Sequence, residues 1–212
     1  FAMVLPARAR VAWRDVPTGR DVWSSGLPAA ADAVLPGRDG VVVASGGRLL
    51  RVDPEGAEPV EVGRYEGTLI RPAEVAGGKA LLTLRYVPAG AGRGGAAQVA
   101  HLVDLADGAT LGRWDLANPP RCALAPDGAT VACVTTTAGA VVLQAPDREE
   151  GVETAITDVD LLRWSDAHTV VIARANTLQV WDLADGRQVN SLLTTAMAKV
   201  SELVIGGTTV LF

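Results

Sequence analysis

The residues that could carry chemistry in this chain are carboxylates and arginines that stand near one another along the sequence. The carboxylates are Glu74, Asp158, Asp160 and Glu202, and the arginines are Arg71, Arg121 and Arg163. Two carboxyl groups, one protonated and one ionised, can serve as a general acid and a general base. Carboxylates beside arginines more simply form ion pairs, and ion pairing or solvation is the role we expect for this set.

Nothing else in the sequence indicates a catalytic centre. The chain has only two histidines, His101 and His168, and it lacks a Gly-x-Ser-x-Gly nucleophile motif, a phosphate-binding loop and a calcium loop. No cluster of cysteine and histidine has the spacing of a zinc site. We therefore expect no catalytic residue, no cofactor and no metal in this chain.

The two cysteines, Cys122 and Cys133, flank the turn at 126–128 on adjacent predicted strands. They could lie opposite each other or on opposite faces, depending on the length of the turn. Two buried free thiols that act as small hydrophobic side chains are the interpretation we favour. A cross-strand disulfide and a metal site are the alternatives.

An internal repeat predicts the architecture that must position these residues. The segment Asp-Leu-Ala-Asp-Gly at 104–108 returns unchanged at 182–186, which is 78 residues, or two steps of 39. Two rows of turns recur with nearly the same step. The turns of one row begin at Asp15, Asp53, Asp104, Gln144 and Asp182, and those of the other begin at Asp39, Gly77, Asp127, Ala167 and Gly206. Both rows lengthen at the same place by about 11 residues, so the Gly-rich segment 88–97 is an insertion. A period of roughly 40 residues built from short strands is typical of a β-propeller blade.

Short runs rich in β-branched residues lie between the turns, at 40–45, 79–86, 130–135 and 169–174. Nearly all-apolar runs suit inner strands that are covered on both faces, and alternating runs suit outer strands. We predict an all-β propeller whose blades are four-stranded antiparallel meanders, lettered a to d from the centre outwards. The residues that would line its central channel are Arg71, Arg121, Glu74, Asp160 and Glu202.

The strand and turn patterns resemble those of WD40 repeats. The segments 178–189 and 11–22 are similar to the strand c, Trp-Asp, turn and strand d of that family, and 122–132 is similar to its strand a to strand b hairpin. The resemblance covers nearly the whole chain, but Trp-Asp is intact only at Trp181-Asp182, and Arg14 follows Trp13. It implies a bacterial, degenerate WD40-like propeller. Trp13 and Trp181 would then pack within their blades.

We expect the blades to span about 1–25 (partial), 26–64, 65–116, 117–156, 157–193 and 194–212 (partial). The first partial blade would contain strands b, c and d, four complete blades would follow, and the last partial blade would contain strands a and b. We expect this succession of blades to be part of a six- to eight-bladed ring, because closure hides strand edges. A five-bladed ring with a redundant strand and an arc completed by a second chain are the alternatives.

Composition limits the partners. The net charge of −5 argues against nucleic acid, whose binding relies on clustered Lys and Arg. No apolar stretch approaches the roughly 18 residues of a membrane-spanning helix. We expect a cytoplasmic protein that binds another protein.

One face of the propeller is the expected partner-binding face. It carries the b-to-c and d-to-a connections, including the insertion, and loops on a rigid scaffold commonly hold recognition residues. Tyr86 at the base of the insertion and Arg93 within it are the first candidates. Tyr65, Trp114 and Met197, in or beside d-to-a connections, could add apolar anchors.

These observations favour a non-catalytic protein-interaction or ligand-sensing module, acting as the scaffold or sensor domain of a larger bacterial protein. The WD40-like resemblance implies the same role. The alternatives are a propeller hydrolase, lyase or lactonase with its active site in the channel, and a structural arc that a partner chain completes.

Overall fold

The computed structural model describes residues 2–5, 9–37, 40–53, 58–88, 95–136, 139–144, 151–174, 177–183, 185, 187–193, 204–206 and 209–211. These residues form β-strands joined by turns, with no helix among them. Within these ranges there is accordingly no helix of the length and apolar character needed to cross a membrane.

The strands form successive antiparallel sheets, which we number as blades along the chain. Blade 1 contains β1 (Ala2–Leu5), β2 (Arg10–Arg14) and β3 (Asp21–Gly26). Blade 2 contains β4 (Ala31–Pro36), β5 (Val41–Ser45), β6 (Arg48–Val52) and β7 (Val60–Arg64). Blade 3 contains β8 (Thr68–Leu69), β9 (Glu74–Ala76), β10 (Lys79–Tyr86), β11 (Ala97–Asp104) and β12 (Thr110–Asp115).

Blade 4 contains β13 (Cys122–Leu124), β14 (Val131–Val134), β15 (Ala140–Gln144) and β16 (Val152–Thr157). Blade 5 contains β17 (Leu161–Trp164), β18 (Thr169–Arg174), β19 (Thr177–Asp182) and β20 (Arg187–Leu193). Blade 6 contains β21 (Val204–Gly206) and β22 (Thr209–Leu211). The prediction of an all-β fold with four-stranded antiparallel sheets is confirmed.

The hydrophobic core lies between neighbouring blades, which explains the all-apolar second strands. Along β10, Leu82 and Leu84 face blade 2, whereas Leu81 faces blade 4. The same alternation occurs in β14, where Ala132 faces blade 5 and Val131 faces blade 3. Successive side chains of a strand point to opposite faces, so a strand covered on both sides must be apolar throughout. Full burial of each such leucine contributes about 1.5–3 kcal/mol.

Glycines allow the turns of blades 3 and 4 to touch. Gly77 and Gly128 both have positive φ, of 56° and 70°. A Cβ at either position would collide with the backbone of the other turn. The Nζ of Lys79 donates a hydrogen bond of 2.9 Å to the carbonyl of Gly128 and joins the same two turns. These turns therefore fix the spacing of the two blades.

The innermost strand of blade 3 is interrupted, and this interruption positions the candidate site. Leu69 pairs with Leu84 and Glu74 pairs with Leu81. Four residues (70–73) therefore lie opposite two residues (82–83), which makes a two-residue bulge. Proline cannot donate a ladder hydrogen bond, so Pro72 suits an interruption of this kind. Bulges of this type turn side chains in new directions and often occur beside functional sites.

Candidate functional site

The interrupted strand of blade 3 and the innermost strands of blades 4 and 5 bring five charged residues together. Arg71 lies in the bulge and Glu74 begins β9, while Arg121 and Asp160 come directly before β13 and β17, and Arg163 lies within β17. The sequence predicts four of them as channel-lining residues and places Arg163 near them. The fifth predicted residue, Glu202, lies outside the described residues. We call this set the arginine cluster.

Glu74 joins three blades. One carboxylate oxygen, Oε1, is 3.3 Å from the Nη1 of Arg163 in blade 5. The other, Oε2, accepts a hydrogen bond of 2.7 Å from the backbone N–H of Leu124 in blade 4. Burial raises the pKa of Glu74, and the Leu124 N–H, Arg163 and Arg71 offset only part of that effect. Glu74 of blade 3 is therefore held by contacts with blades 4 and 5, and its charge is partly desolvated.

Arg121 is fixed by several acceptors. Its Nε donates to the carbonyl oxygen of Asp160 at 2.7 Å, and its Nη1 donates to that of Pro119 at 3.2 Å. Its Nη2 is 3.7 Å from the Oδ1 of Asp160. Only 12% of the Arg121 side chain is exposed. Since its donors are engaged and its side chain is buried, Arg121 acts as a structural tie between blades 4 and 5.

Arg71 differs from the other two arginines in the cluster. It makes no hydrogen bond or ion pair within 4 Å to any residue that the structure describes. Burial lowers the pKa of Arg71, and the like charges of Arg163 and Arg121 lower it further, against a weaker opposing effect of Glu74. A guanidinium keeps its charge under all ordinary conditions. Arg71 is thus a half-buried cation that the described part of the protein leaves unpaired.

A cavity of about 450 Å³ opens beside Arg71. Its charged lining residues, which we call the charged wall, are Arg71, Glu74 and Arg163, and its apolar lining residues, which we call the apolar wall, are Pro72, Ala73, Leu81 and Leu161. Thr83 and Cys122 complete the lining. The volume is in the range of small-molecule sites. The arrangement can bind an anion through Arg71, and the partly desolvated Glu74 is the one group in it suited to proton transfer.

Cys122 and Cys133 form a disulfide, which corrects the expectation of two free thiols. The register of β13 and β14 places the two residues directly opposite each other, with their Cα atoms 4.1 Å apart. This is close to the spacing of a non-hydrogen-bonded antiparallel pair, in which the side chains approach most closely. The sequence left this pairing open because it depends on the turn.

Tyr65 and Trp114 are buried, so neither offers an apolar anchor on the predicted partner-binding face. The hydroxyl of Tyr65, in the connection from blade 2 to blade 3, donates to Asp32 Oδ2 of blade 2 at 2.6 Å. The indole Nε1 of Trp114 in blade 3 donates to Gln144 Oε1 of blade 4 at 2.5 Å. Both side chains therefore hold the blades and their connections in place. Arg93 and Met197 lie outside the described residues.

Tyr86 is partly buried at the base of the insertion, where it packs against the core between blades 2 and 3. Its hydroxyl accepts a hydrogen bond of 2.8 Å from Arg113 Nη2, and the Arg113 Cζ lies 5.2 Å from the centre of the Tyr86 ring. The two residues line a depression of about 350 Å³ together with His101. Neither imidazole nitrogen of His101 has a hydrogen-bond partner among the described residues. Burial lowers the pKa of His101, and Arg113 lowers it further while Glu66 opposes this.

The remaining candidates carry less chemistry. A cavity of about 580 Å³ lies between blades 2 and 3 and is lined by turn glycines such as Gly37 and Gly77. The backbone N–H of His168 donates to Asp166 Oδ1 at 2.8 Å within a tight turn. No group of three or more potential metal-binding side chains occurs within the described part of the chain. The tryptophans Trp13 and Trp181 are partly buried against the cores between blades.

Comparisons with known proteins reveal the fold but no closer relationship. No protein-family model matches the chain, and no curated protein matches it in sequence. The chain is similar to the structure of the Dos1 propeller, with a TM-score of 0.57 and 14% identity, covering 95% of this chain and 57% of that one. It is also similar to hydrazine synthase of Kuenenia stuttgartiensis, with a TM-score of 0.54 and 14% identity, covering 86% and 61% of the two chains.

A third similar structure is the β-propeller domain of the Trilobed protease of Pyrococcus furiosus, which is described as having an open velcro topology. Its TM-score is 0.50 at 10% identity, with 67% of this chain and 47% of that one covered. The chain spans about three fifths of the length of the first two structures. These similarities extend to enzymes and to other proteins, so they do not decide whether this chain is catalytic. They show that its fold is a β-propeller.

Proposed function

We propose that this chain is a non-catalytic binding module, a protein-interaction or ligand-sensing propeller whose site is the cavity beside Arg71. The observation that carries the proposal is the unpaired state of Arg71 among the described residues, in a place where two other arginines already oppose its charge. Leaving a half-buried charge uncompensated costs free energy. A bound anion would remove that cost.

The chemistry of the cavity favours binding over catalysis. Arginine donates hydrogen bonds but does not exchange protons at ordinary pH. The carboxylate of Glu74 already interacts with Arg163 and with the backbone N–H of Leu124. Asp160, the other carboxylate of the cluster, lies near Arg121. The cluster therefore resembles a recognition site more than a pair of general acid and base.

The wider setting is also a proposal. We place the chain in a larger bacterial, WD40-like protein as its scaffold or sensor domain, with a protein partner and with activity carried elsewhere. Its match to only about three fifths of the similar structures supports a longer propeller, completed either by more of the same protein or by a second chain. A cytoplasmic location stays part of the proposal, although a disulfide is more typical of oxidising compartments.

The test compares binding with turnover on the same protein. Thermal unfolding is followed with panels of anionic, neutral and cationic small molecules and peptides, and hydrolysis of ester, lactone and glycoside substrates is assayed in parallel. The proposal expects a dose-dependent rise in Tm with one class of compound and no turnover. Turnover that disappears in Glu74→Gln would overturn it.

A channel hydrolase is the second candidate, and one observation favours it. Burial raises the pKa of Glu74, as expected of a general acid. The expected signature is a pH–rate profile with a limb that moves or disappears in Glu74→Gln. Metal-dependent members of this class would also lose activity in EDTA.

A further inference from the structure

We propose that the cavity beside Arg71 binds a small carboxylic acid with an apolar body, its carboxylate on Arg71 and its body against Pro72, Ala73 and Leu161. This inference rests on the proposed binding function and adds to it the chemical class of the ligand. Three independent features of the cavity support it: its charge balance, the way Arg71 is presented, and its apolar wall.

The charge balance calls for one negative charge. Among the residues that the structure describes, the arginine cluster contains three guanidinium groups and the two carboxylates of Glu74 and Asp160, which leaves one positive charge in excess. Glu74 lies against Arg163 and Asp160 lies near Arg121, so the excess charge resides on Arg71. A monoanion would neutralise the cluster. A dianion would reverse its sign next to Glu74, whose charge is already disfavoured by burial.

The backbone that carries Arg71 is anchored on both sides of the bulge. Ile70 still donates its N–H to the carbonyl of Thr83 at 3.0 Å, and Glu74 resumes pairing with Leu81. The chain is therefore anchored immediately before and shortly after the bulge. Pro72 fixes one φ angle within it. The planar guanidinium offers two parallel N–H donors that match the two oxygens of a carboxylate.

The cavity also contains the apolar wall, which suits the body of such a ligand. Pro72, Ala73, Leu81 and Leu161 line it, and Leu81 and Leu161 are otherwise buried side chains with 2% and 8% of their surface exposed. A ligand that is charged throughout would leave this wall in contact with polar atoms. A carboxylate attached to a short hydrocarbon satisfies both walls, and a volume of about 450 Å³ admits a molecule of that size.

The experiment is calorimetric titration of the whole chain with four matched six-carbon probes and with acetate. Hexanoate carries both features, hexanol only the apolar body, hexylammonium the opposite charge and hexyl phosphate a second type of anion. Acetate carries the carboxylate alone. We expect hexanoate to bind more tightly than every other member. Tighter binding of hexyl phosphate would overturn the carboxylate assignment, and equal binding of hexanol would overturn the role of the charge.

Two variants with opposite expected effects on affinity distinguish a loss of recognition from damage to the fold. Arg71→Gln should weaken hexanoate binding at least tenfold, because a charge-assisted pair is lost. Glu74→Gln should strengthen it severalfold, because it removes a negative charge beside the bound carboxylate. Arg187→Gln removes an equal charge at an exposed position in blade 5 and should change nothing. Weaker binding in both cavity variants would indicate damage to the fold and overturn the inference.

The outcomes also separate this inference from the proposed function. If another ligand or partner raises Tm while hexanoate does not bind, the carboxylate inference fails and the binding module stands. If hexanoate binds but Arg71→Gln leaves its affinity unchanged, the site is elsewhere and this inference fails alone. Turnover of a substrate that requires Glu74 would overturn both.

Discussion

Glu74 and Arg163 connect blades that are not sequential neighbours. The Nη1 of Arg163 in blade 5 lies 3.3 Å from the Oε1 of Glu74 in blade 3, while blade 4 lies between them in the chain and supplies the Leu124 N–H to the other oxygen. Innermost strands converge at the centre of a propeller, so such a contact is possible only there. It places charged groups of blades 3 and 5 at the edge of one cavity and leaves Arg71 as the cation of the cluster without a partner among the described residues.

Arg121 and Arg71 should respond differently to replacement by glutamine, because Arg121 ties blades 4 and 5 together and Arg71 has no partner among the described residues. Arg121→Gln loses hydrogen bonds to the carbonyls of Pro119 and Asp160, and we expect it to lower the free energy of unfolding by about 2 kcal/mol. Arg71→Gln removes an unpaired charge and should leave the unliganded protein within about 0.5 kcal/mol of wild type or stabilise it. Urea unfolding of both variants measures the difference. Equal destabilisation would contradict the assignment of Arg71 as a ligand-binding residue.

The pH dependence of stability should reveal Glu74. Because burial raises its folded-state pKa above the unfolded value of about 4.3, the folded state binds this proton more tightly. The resulting stability is complete below the unfolded pKa and is lost as the pH rises through the folded pKa. The groups facing Glu74 are Arg163, Arg71 and the Leu124 N–H.

The measurement is the free energy of unfolding of wild type minus that of Glu74→Gln at several pH values from acid to neutral. This difference should fall as the pH rises. A difference that grows with pH would mean that the ion pair with Arg163 outweighs burial, and that the pKa of Glu74 is lowered.

The disulfide between Cys122 and Cys133 can be tested chemically. Alkylation of the unreduced, denatured protein should label neither cysteine, and reduction should add the mass of two hydrogens. Breaking the disulfide, whose cysteines are 11 residues apart in sequence, should lower the free energy of unfolding by about 3 kcal/mol, because the unfolded chain gains the entropy of the opened loop. If both cysteines are labelled in protein isolated from its natural host, they are free thiols there, as predicted from the sequence. That result would fit a reducing compartment.

Close packing of the turns of blades 3 and 4 predicts a sharp effect at Gly128. Gly128→Ala combines a positive φ with a collision against the Ala76 carbonyl, so we expect a loss of about 2 kcal/mol or more. Gly19 is a matched control, because its φ of +66° is similar but no atom lies within 4 Å of the position that a methyl group would take. Gly19→Ala should cost only about 1 kcal/mol. Similar losses in the two variants would show that the turns are not in contact.

Because Tyr65 is buried, we expect it to stabilise the fold and not to contact a partner protein. Tyr65→Phe removes the hydroxyl that donates to Asp32 at 2.6 Å and should cost about 1 kcal/mol, because Asp32 is itself exposed to solvent. For a chain of this length that corresponds to a fall in Tm of about 2–4 °C. Partner binding should be unchanged. A loss of binding without a loss of stability would restore Tyr65 as a surface anchor.

Sequence predicted the fold because its determinants are local. Apolar runs such as that of β10 and turn residues such as Gly128 recur at a nearly constant step, and each copy of the pattern specifies one blade. The residues of the arginine cluster could be named for the same reason, since their places before or within innermost strands follow from the repeat. Arg163 stands near the other charged residues in the repeat, but its contact with Glu74 across blades 3 and 5 depends on the curvature of the ring.

Features that depend on register or on distant partners could not be predicted. Pro72 indicates a break in a strand, but the two-residue bulge that presents Arg71 is defined only by its pairing with β10. Tyr65 and Trp114 resembled exposed aromatic residues because their hydrogen-bond acceptors are distant in sequence. The pairing of Cys122 with Cys133 depends on one residue more or less in a turn.

The most direct test of the central claim is an NMR titration that follows the Nε–Hε resonances of the arginine side chains as hexanoate is added. A carboxylate bound to Arg71 should shift the Arg71 resonance with saturation, with smaller shifts at Arg163 and none at the exposed Arg187. The result that would contradict the claim is an unchanged Arg71 resonance, or equal, non-saturating shifts at Arg71 and Arg187.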